Sequence, residues 1–212
     1  HRDLHSFPTR RSSDLSDWNN ASIELPDVKI DFIRQKNKTK YSIELARTAN
    51  IECLLPVQTE EIKNVTVNGE SVSWKVLPGV GRSIVYLILS KSVNADIVIE
   101  TGKLLPYYAP VTLEGNIRDP IQLRPQDAKI VEFIDPQSVL ENESIDSGIL
   151  SANLTSNKGY HTIIVKTLIG EMPQLRVFRI KMNDPEGDAL HQARFIDKIP
   201  SNTIWENIDI RP

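Results

Sequence analysis

The clearest structural signal in this chain is the stretch VTVNGESVSW, residues 65–74. Valines alternate with polar residues on both sides of Asn68-Gly69, and Trp74 closes the pattern. Alternation with period two is typical of β-strands that have one buried face. Asn and Gly both tolerate the positive φ that a two-residue type I′ turn requires. The stretch therefore predicts a β-hairpin, with Trp74 in the core.

The same alternation runs through residues 16–104, which we interpret as a first β-sandwich domain of about seven strands. The run from Ile84 to Leu89 differs because it is apolar at every position. Such a run is typical of a central strand that is covered on both faces. The clearest alternating apolar positions are Val28, Ile30 and Phe32, then Tyr41, Ile43 and Leu45, then Ile51, Cys53 and Leu55.

Prolines interrupt this pattern in residues 105–127, which we interpret as a Pro-rich connector. Each proline lacks a backbone N–H and has a fixed φ, which disfavours a central strand. The prolines in and around this segment are Pro106, Pro110, Pro120 and Pro125.

A second β-rich region occupies residues 128–212. Residues 128–134 predict a strand, and residues 150–154 and 160–168 predict a hairpin whose loop contains Gly159. Phe178, Ile180 and Met182 are expected to face inward. One short helix is predicted within residues 184–199, with Asp184 as its N-cap.

Together these patterns predict an all-β protein with two antiparallel immunoglobulin-like β-sandwich domains, 16–104 and 128–212, joined by the connector. A sandwich of fewer than about 110 residues buries only about 60 to 65% of its unfolded surface. We therefore expect the two domains to be stabilised by packing together or onto a neighbouring domain.

The composition excludes several classes of protein. The 212 residues are 40% hydrophobic and 25% charged, values that exclude disordered, collagen-like and membrane-spanning chains. The net charge of -3 offers no basic face for a nucleic acid, so we expect no nucleic-acid partner. Cys53 is the single cysteine, so an internal disulfide and a cysteine-based zinc site are both excluded.

Aromatic residues outside the predicted strands are candidates for carbohydrate binding. Tyr107, Tyr108 and Trp205 could stack against the apolar C–H face of a pyranose. For the tyrosine pair, packing between the two domains is the alternative explanation.

A candidate metal site lies in NDPEGD, residues 183–188. Asp184, Glu186 and Asp188 alternate there and offer the oxygen ligands that Ca²⁺ prefers. The segment lacks the spacing of an EF-hand loop, and a solvated turn is the alternative. No other cofactor is expected.

No catalytic residue is predicted. Acidic residues such as Asp31, Glu100 and Glu132 alternate outward from apolar positions, as on a solvated strand face, and Glu44 follows the same pattern. No Ser or Cys motif accompanies the histidines. GVGRS, residues 79–83, lacks the Lys-Ser/Thr ending of a phosphate loop and predicts a turn.

Residues 1–15, HRDLHSFPTRRSSDL, resemble the translation of a sequencing adapter. We exclude this segment from fold reasoning, as one would a tag. On this interpretation native sequence begins near Ser16, and the true N-terminus, with any signal peptide, lies upstream.

Two stretches carry a family resemblance: VNGESVSWKVLPGVG and DPQSVLENESIDSGILSANLTSNKGYHTIIVKTLIGE. They resemble the β-sandwich part of large uncharacterised Bacteroidota proteins related to six-hairpin (α/α)6 glycosidases and associated with polysaccharide utilisation. The resemblance implies a secreted, periplasmic or cell-surface protein with a separate helical catalytic domain. This chain is then expected to be a non-catalytic accessory fragment of a glycoside hydrolase-like protein. The alternative is a stand-alone carbohydrate-binding or cell-surface adhesion module.

Overall fold

The computed structural model describes residues 19–155 and 158–187, and every structural statement below concerns these residues. Nearly all of their regular secondary structure is β-strand, so the predicted all-β class is confirmed. The strands are β1 Asn20–Leu25, β2 Val28–Gln35, β3 Lys38–Val57, β4 Ile62–Val67, β5 Glu70–Ser71, β6 Lys75–Val80, β7 Arg82–Thr101, β8 Val111–Asn116, β9 Pro120–Leu123, β10 Lys129–Ile134, β11 Leu140–Asp146, β12 Ile149–Leu154, β13 Gly159–Ile169 and β14 Met172–Asn183.

The first core is built around two strands of 20 residues each, β3 and β7. Their ladder is interrupted by register shifts between Glu44 and Ile51 of β3. One half of the β3–β7 pair carries β2 and β4 at its edges, and the other half carries β6. Such irregularities bend a strand pair, and here the inward side chains of both halves form one cluster. Its members are Ile43, Cys53, Leu55, Val57, Val65, Val85, Leu87, Leu89, Ala95, Ile97, Ile99 and Met172.

The second core lies between two layers. One layer contains β8, β14, β13 and β10, and the other is a separate sheet in the order β11–β12–β9. Buried positions alternate along β12, β13 and β14, as expected for facing sheets. The buried members are Leu123, Ile130, Val139, Leu140, Leu150, Ala152, Leu154, Ile163, Val165, Phe178, Ile180 and Met182.

Strand β14 joins the two parts of the molecule. Near its start, Gln174 and Leu175 pair in parallel with Gly79 and Val80 of β6. Further along the same edge, Phe178–Asn183 pairs in parallel with β8. The result is one sheet of 11 strands that runs across both cores.

The predicted hairpin at Asn68-Gly69 is confirmed. Val67 pairs with Glu70, and Asn68 and Gly69 have φ values of 53° and 87°. Two consecutive residues with positive φ are what a type I′ turn requires.

The predicted hairpin between residues 150–154 and 160–168 is wrong. Strand β12 pairs with β11 and β9, whereas β13 pairs with β10 and β14. Both strands present apolar residues to the second core, but from opposite layers. Alternation indicates which side of a strand is buried and does not indicate its partner.

Residues 105–127, interpreted as a connector, contain the strands β8 and β9. Each pairs with one other strand, β8 with β14 and β9 with β12. Pro120 is the first residue of β9, a position where a missing N–H is tolerated. The division into two immunoglobulin-like domains with these boundaries stays a prediction.

The expectation that residues 84–89 are covered on both faces is wrong for one face. Strand β7 is central, since it pairs with β3 and β6, and its inward residues are buried. On the other face, Ile88 is 59% exposed, and Leu54 of the adjacent β3 is 56% exposed.

Only the start of the predicted helix falls within the described residues. Residues 185–187 are helical, and the Gly187 N–H donates to Asp184 Oδ1 at 2.9 Å. Asp184 therefore acts as the expected N-cap.

Because β14 contributes to both cores, we expect the chain to unfold in one cooperative transition. Ile97→Ala in the first core and Ile180→Ala in the second each remove a fully buried side chain. Each should lower the free energy of unfolding by about 2 to 5 kcal/mol. Chemical denaturation followed by tryptophan fluorescence and by far-UV circular dichroism should show the same midpoint for both probes. Two separate transitions, each moved by only one substitution, would contradict the coupling.

Candidate functional site

Tyr107 lies across the tight turn between β6 and β7. Gly81 in that turn has a φ of 67°, and a Cβ atom there would lie 2.6 Å from Tyr107 Cε2 and 2.6 Å from the Tyr108 carbonyl oxygen. The guanidinium of Arg82 lies 5.3 Å from the centroid of the Tyr107 ring. Gly81 is thus required both for its backbone conformation and for the close approach of the tyrosines.

Tyr108 packs on Arg176, an inward residue of β14. The Arg176 Cζ lies 3.7 Å from the centroid of the Tyr108 ring, which is cation–π geometry. Arg176 Nη1 donates to the Gln126 carbonyl oxygen at 3.2 Å. Burial lowers the pKa of Arg176 from its ordinary value, and the charge and hydrogen bonding of Tyr108 and the charge of Asp127 oppose this shift.

The two tyrosines therefore join residues 105–110 to β6, β7 and β14. This is the packing role that the sequence left open beside carbohydrate binding. Both side chains remain half-buried rather than enclosed. Tyr108 also borders a cleft, so its packing contact and a ligand contact are compatible.

The cleft lies between β8, β9 and β14 and has a volume of about 360 Å³. Its floor and walls are largely apolar, with Val111, Leu123 and Phe178 among them. Polar groups at its border come from Gln122, Gln126, Arg124 and Arg176. Apolar walls with a few convergent polar groups are typical of small-molecule sites.

Two polar side chains on β14 are buried without complete hydrogen bonding. Gln174 is 1% exposed, and neither its Oε1 nor its Nε2 has a hydrogen-bond partner among the described residues. Arg176 is 8% exposed, and its Nε and Nη2 likewise have none. Sequence reasoning missed both residues. The sequence did contain a sign of them. Gln174 and Arg176 are polar, yet they occupy the inward positions between Met172 and Phe178.

A second feature is the outer apolar face, which we define as the apolar and aromatic outward side chains of β3, β6 and β7 around Tyr86. Trp74 packs against the first core, as predicted, and forms a groove with Tyr86 and Ile88 beside this face. A hydrogen bond from Tyr86 to Glu52 raises the pKa of Tyr86. The members of the outer apolar face are Leu54, Leu77, Ile84, Tyr86 and Ile88.

The acidic residues singled out in the sequence lie on strand faces. Lysine Nζ atoms lie 3.7 Å from Asp31, 3.1 Å from Glu100 and 3.2 Å from Glu132. Hydrogen bonds from Ser42 and Lys40 lower the pKa of Asp96, which lies in the same polar groove as Glu100. These groups form exposed ion pairs, each of which contributes about 0 to 1 kcal/mol.

The candidate calcium ligands are only partly described. The carboxylate of Asp184 accepts the capping hydrogen bond from Gly187, and Glu186 is exposed. Asp188 and the candidate sugar-binding residue Trp205 lie outside the described residues. Within residues 19–155 and 158–187, no three His, Cys, Asp or Glu side chains are grouped to hold a metal ion.

Comparison with known proteins identifies no family for this chain. No family model and no curated protein matches it. In the described part of the chain, no helix has the length and apolar character needed to cross a membrane.

Gly81→Ala should destabilise the protein more than Gly69→Ala. Both glycines have positive φ, but a Cβ at Gly69 meets nothing within 4 Å, whereas one at Gly81 collides with Tyr107 and Tyr108. We expect a loss of about 1 kcal/mol at Gly69 from backbone strain and about 2 to 5 kcal/mol at Gly81 from strain and overpacking. Urea denaturation measures the free energy of unfolding of both variants. Equal losses would show that Tyr107 and Tyr108 move aside without cost and would contradict the prediction.

Proposed function

We propose that this chain is a non-catalytic accessory β-sandwich part of a larger exported carbohydrate-active protein of the glycoside hydrolase type. In this role it docks through the outer apolar face onto a neighbouring catalytic domain of the same polypeptide and helps to shape the substrate cleft. Export to the periplasm, the cell surface or the medium belongs to the same proposal and depends on the family resemblance of residues 67–81 and 135–171.

The outer apolar face is the observation that carries the docking proposal. Leu54 and Ile88 are both more than half exposed, although they lie on the two central strands of the first core. An apolar cluster on the middle of a sheet is a typical mark of an interaction surface. The run from Ile84 to Leu89 has the sequence character of a strand covered on both sides, which supports a partner on this face.

The placement of the acidic side chains supports a non-catalytic role. Hydrolysis of a glycosidic bond by paired carboxylates requires two of them to face each other across the substrate at about 5 to 9.5 Å. Asp31, Glu100 and Glu132 instead lie on strand faces, where each has a lysine beside it.

A stand-alone carbohydrate-binding or cell-surface adhesion module is the second candidate. The cleft beside Tyr108 favours it, because an aromatic ring, two glutamines and two arginines border an apolar pocket. The cleft and the outer apolar face use different residues, so docking and glycan contact are compatible in one protein.

Docking predicts that Leu54 and Ile88 become covered in the protein made from the full reading frame. Carbene footprinting should label both strongly in the 212-residue chain and several-fold less in the longer protein. Ile134, which is 51% exposed on β10, is the matched control and should label equally in both. Leu54→Lys and Ile88→Lys should change the stability of the 212-residue chain by no more than about 0.5 kcal/mol, because both sites are exposed. Equal labelling of Leu54 and Ile88 in the two proteins would contradict docking.

Affinity gel electrophoresis tests the second candidate. Retardation of the chain by a polysaccharide, lost in the Tyr107→Ala and Tyr108→Ala variants, would support glycan binding by this chain. Tyr160→Ala is a suitable control because Tyr160 is 70% exposed on β13, away from the cleft. A stand-alone binding module requires both this retardation and unchanged footprinting of the outer apolar face.

A further inference from the structure

Arg176 presents an unused hydrogen-bonding edge inside the protein. Its Nη1 donates to the Gln126 carbonyl oxygen, whereas Nε and Nη2 have no partner among the described residues. Nε and Nη2 lie on the same side of a guanidinium group. Their two N–H groups form the fork that binds the two oxygens of a carboxylate side by side.

A guanidinium in this position is costly to bury. Arg176 is more than nine-tenths buried, and an unpaired charge or donor away from water destabilises a fold. The Tyr108 ring, the Gln126 carbonyl and the charge of Asp127 offset part of this cost. They leave the Nε–Nη2 edge unsatisfied, and an anionic ligand of matching geometry would satisfy it.

The cleft that Arg176 borders has the charge and size for such a ligand. Arg124 and Arg176 both border it, and no acidic residue is among its described lining residues. Its volume of about 360 Å³ lies within the range of small-molecule pockets. Gln122 and Gln126 add amide and carbonyl groups that can bond to hydroxyl groups.

Tyr108 forms one wall of this cleft. Its ring covers the guanidinium of Arg176, so the Nε and Nη2 atoms are shielded from bulk water. Residues 105–110 belong to no strand, so a rotation of the ring that uncovers Arg176 would break no sheet ladder. A ligand that reaches Arg176 then lies beside an aromatic ring, as a sugar requires for stacking.

We propose that the cleft between β8, β9 and β14 binds an acidic sugar, with its carboxylate held by the Nε–Nη2 edge of Arg176. The carboxylate part follows from the geometry of Arg176. The sugar part rests on the proposed function, and it names uronic acids as the class of glycan that this chain contacts.

The decisive comparison uses two ligands that differ only at the carboxyl group, which is charged in one and a neutral methyl ester in the other. Nuclear magnetic resonance titration of the 212-residue chain with D-glucuronate should give a dissociation constant roughly 10- to 100-fold lower than titration with its methyl ester. Acetate and D-glucose should bind more weakly than D-glucuronate. Acetate has the carboxylate without the sugar ring, and D-glucose has the sugar ring without the carboxylate. Equal affinity for the acid and the ester, or binding of neither, would overturn the proposal. Equal affinity for acetate and D-glucuronate would overturn the assignment of a sugar.

Substitutions locate the site. Arg176→Gln should weaken D-glucuronate binding roughly 10- to 100-fold, and Arg176→Lys should restore only part of it because lysine keeps the charge without the fork. Arg179→Gln, on the exposed face of the same strand, is the matched control and should leave binding unchanged. Unchanged binding in a folded Arg176→Gln variant would overturn the proposal. If the Arg176→Gln variant does not fold, the comparison of D-glucuronate with its methyl ester on the unsubstituted chain still tests the proposal. None of these results alters the footprinting of Leu54 and Ile88, so the docking proposal stands or fails separately.

Discussion

The structure depends on the shared edge of β14. A strand edge supplies one row of backbone donors and acceptors, and here that row is divided between two parallel partners, first β6 and then β8. Met172 at the start of β14 packs into the first core, whereas Phe178, Ile180 and Met182 pack into the second. The two hydrophobic cores therefore share one covalent and hydrogen-bonded element, and residues 105–110 cross beside it.

The polar residues of β14 lie where this strand passes from one core to the other. Gln174 and Arg176 occupy inward positions, but neither is a member of the two apolar clusters. A buried arginine at such a junction does two things at once. It contacts the Tyr108 ring and the Gln126 carbonyl, and it borders the cleft. The cost of burying that charge is the physical reason for expecting a ligand there.

The outer apolar face follows from a different constraint. Alternate residues of β3 and β7 must be apolar to build the first core, and only the opposite face is free to vary. Leu54 and Ile88 are apolar on that free face, which core packing does not require. An uncovered sheet face of this kind favours association with a partner, and a neighbouring domain of the same polypeptide is the partner that we propose.

Sequence patterns alone predicted the strand content, the inward positions Phe178, Ile180 and Met182 of β14 and the Asn68-Gly69 turn, because these depend on local alternation and on residues that accept positive φ. It also indicated that Tyr107 and Tyr108 lie outside regular strands. Three features are visible only in the tertiary structure. Strands β12 and β13 lie in different layers, residues 105–127 supply two strands, and Arg176 stacks on Tyr108. Alternation reports which side of a strand is buried, whereas strand partners and the neighbours of a buried charge depend on contacts between residues far apart in the chain.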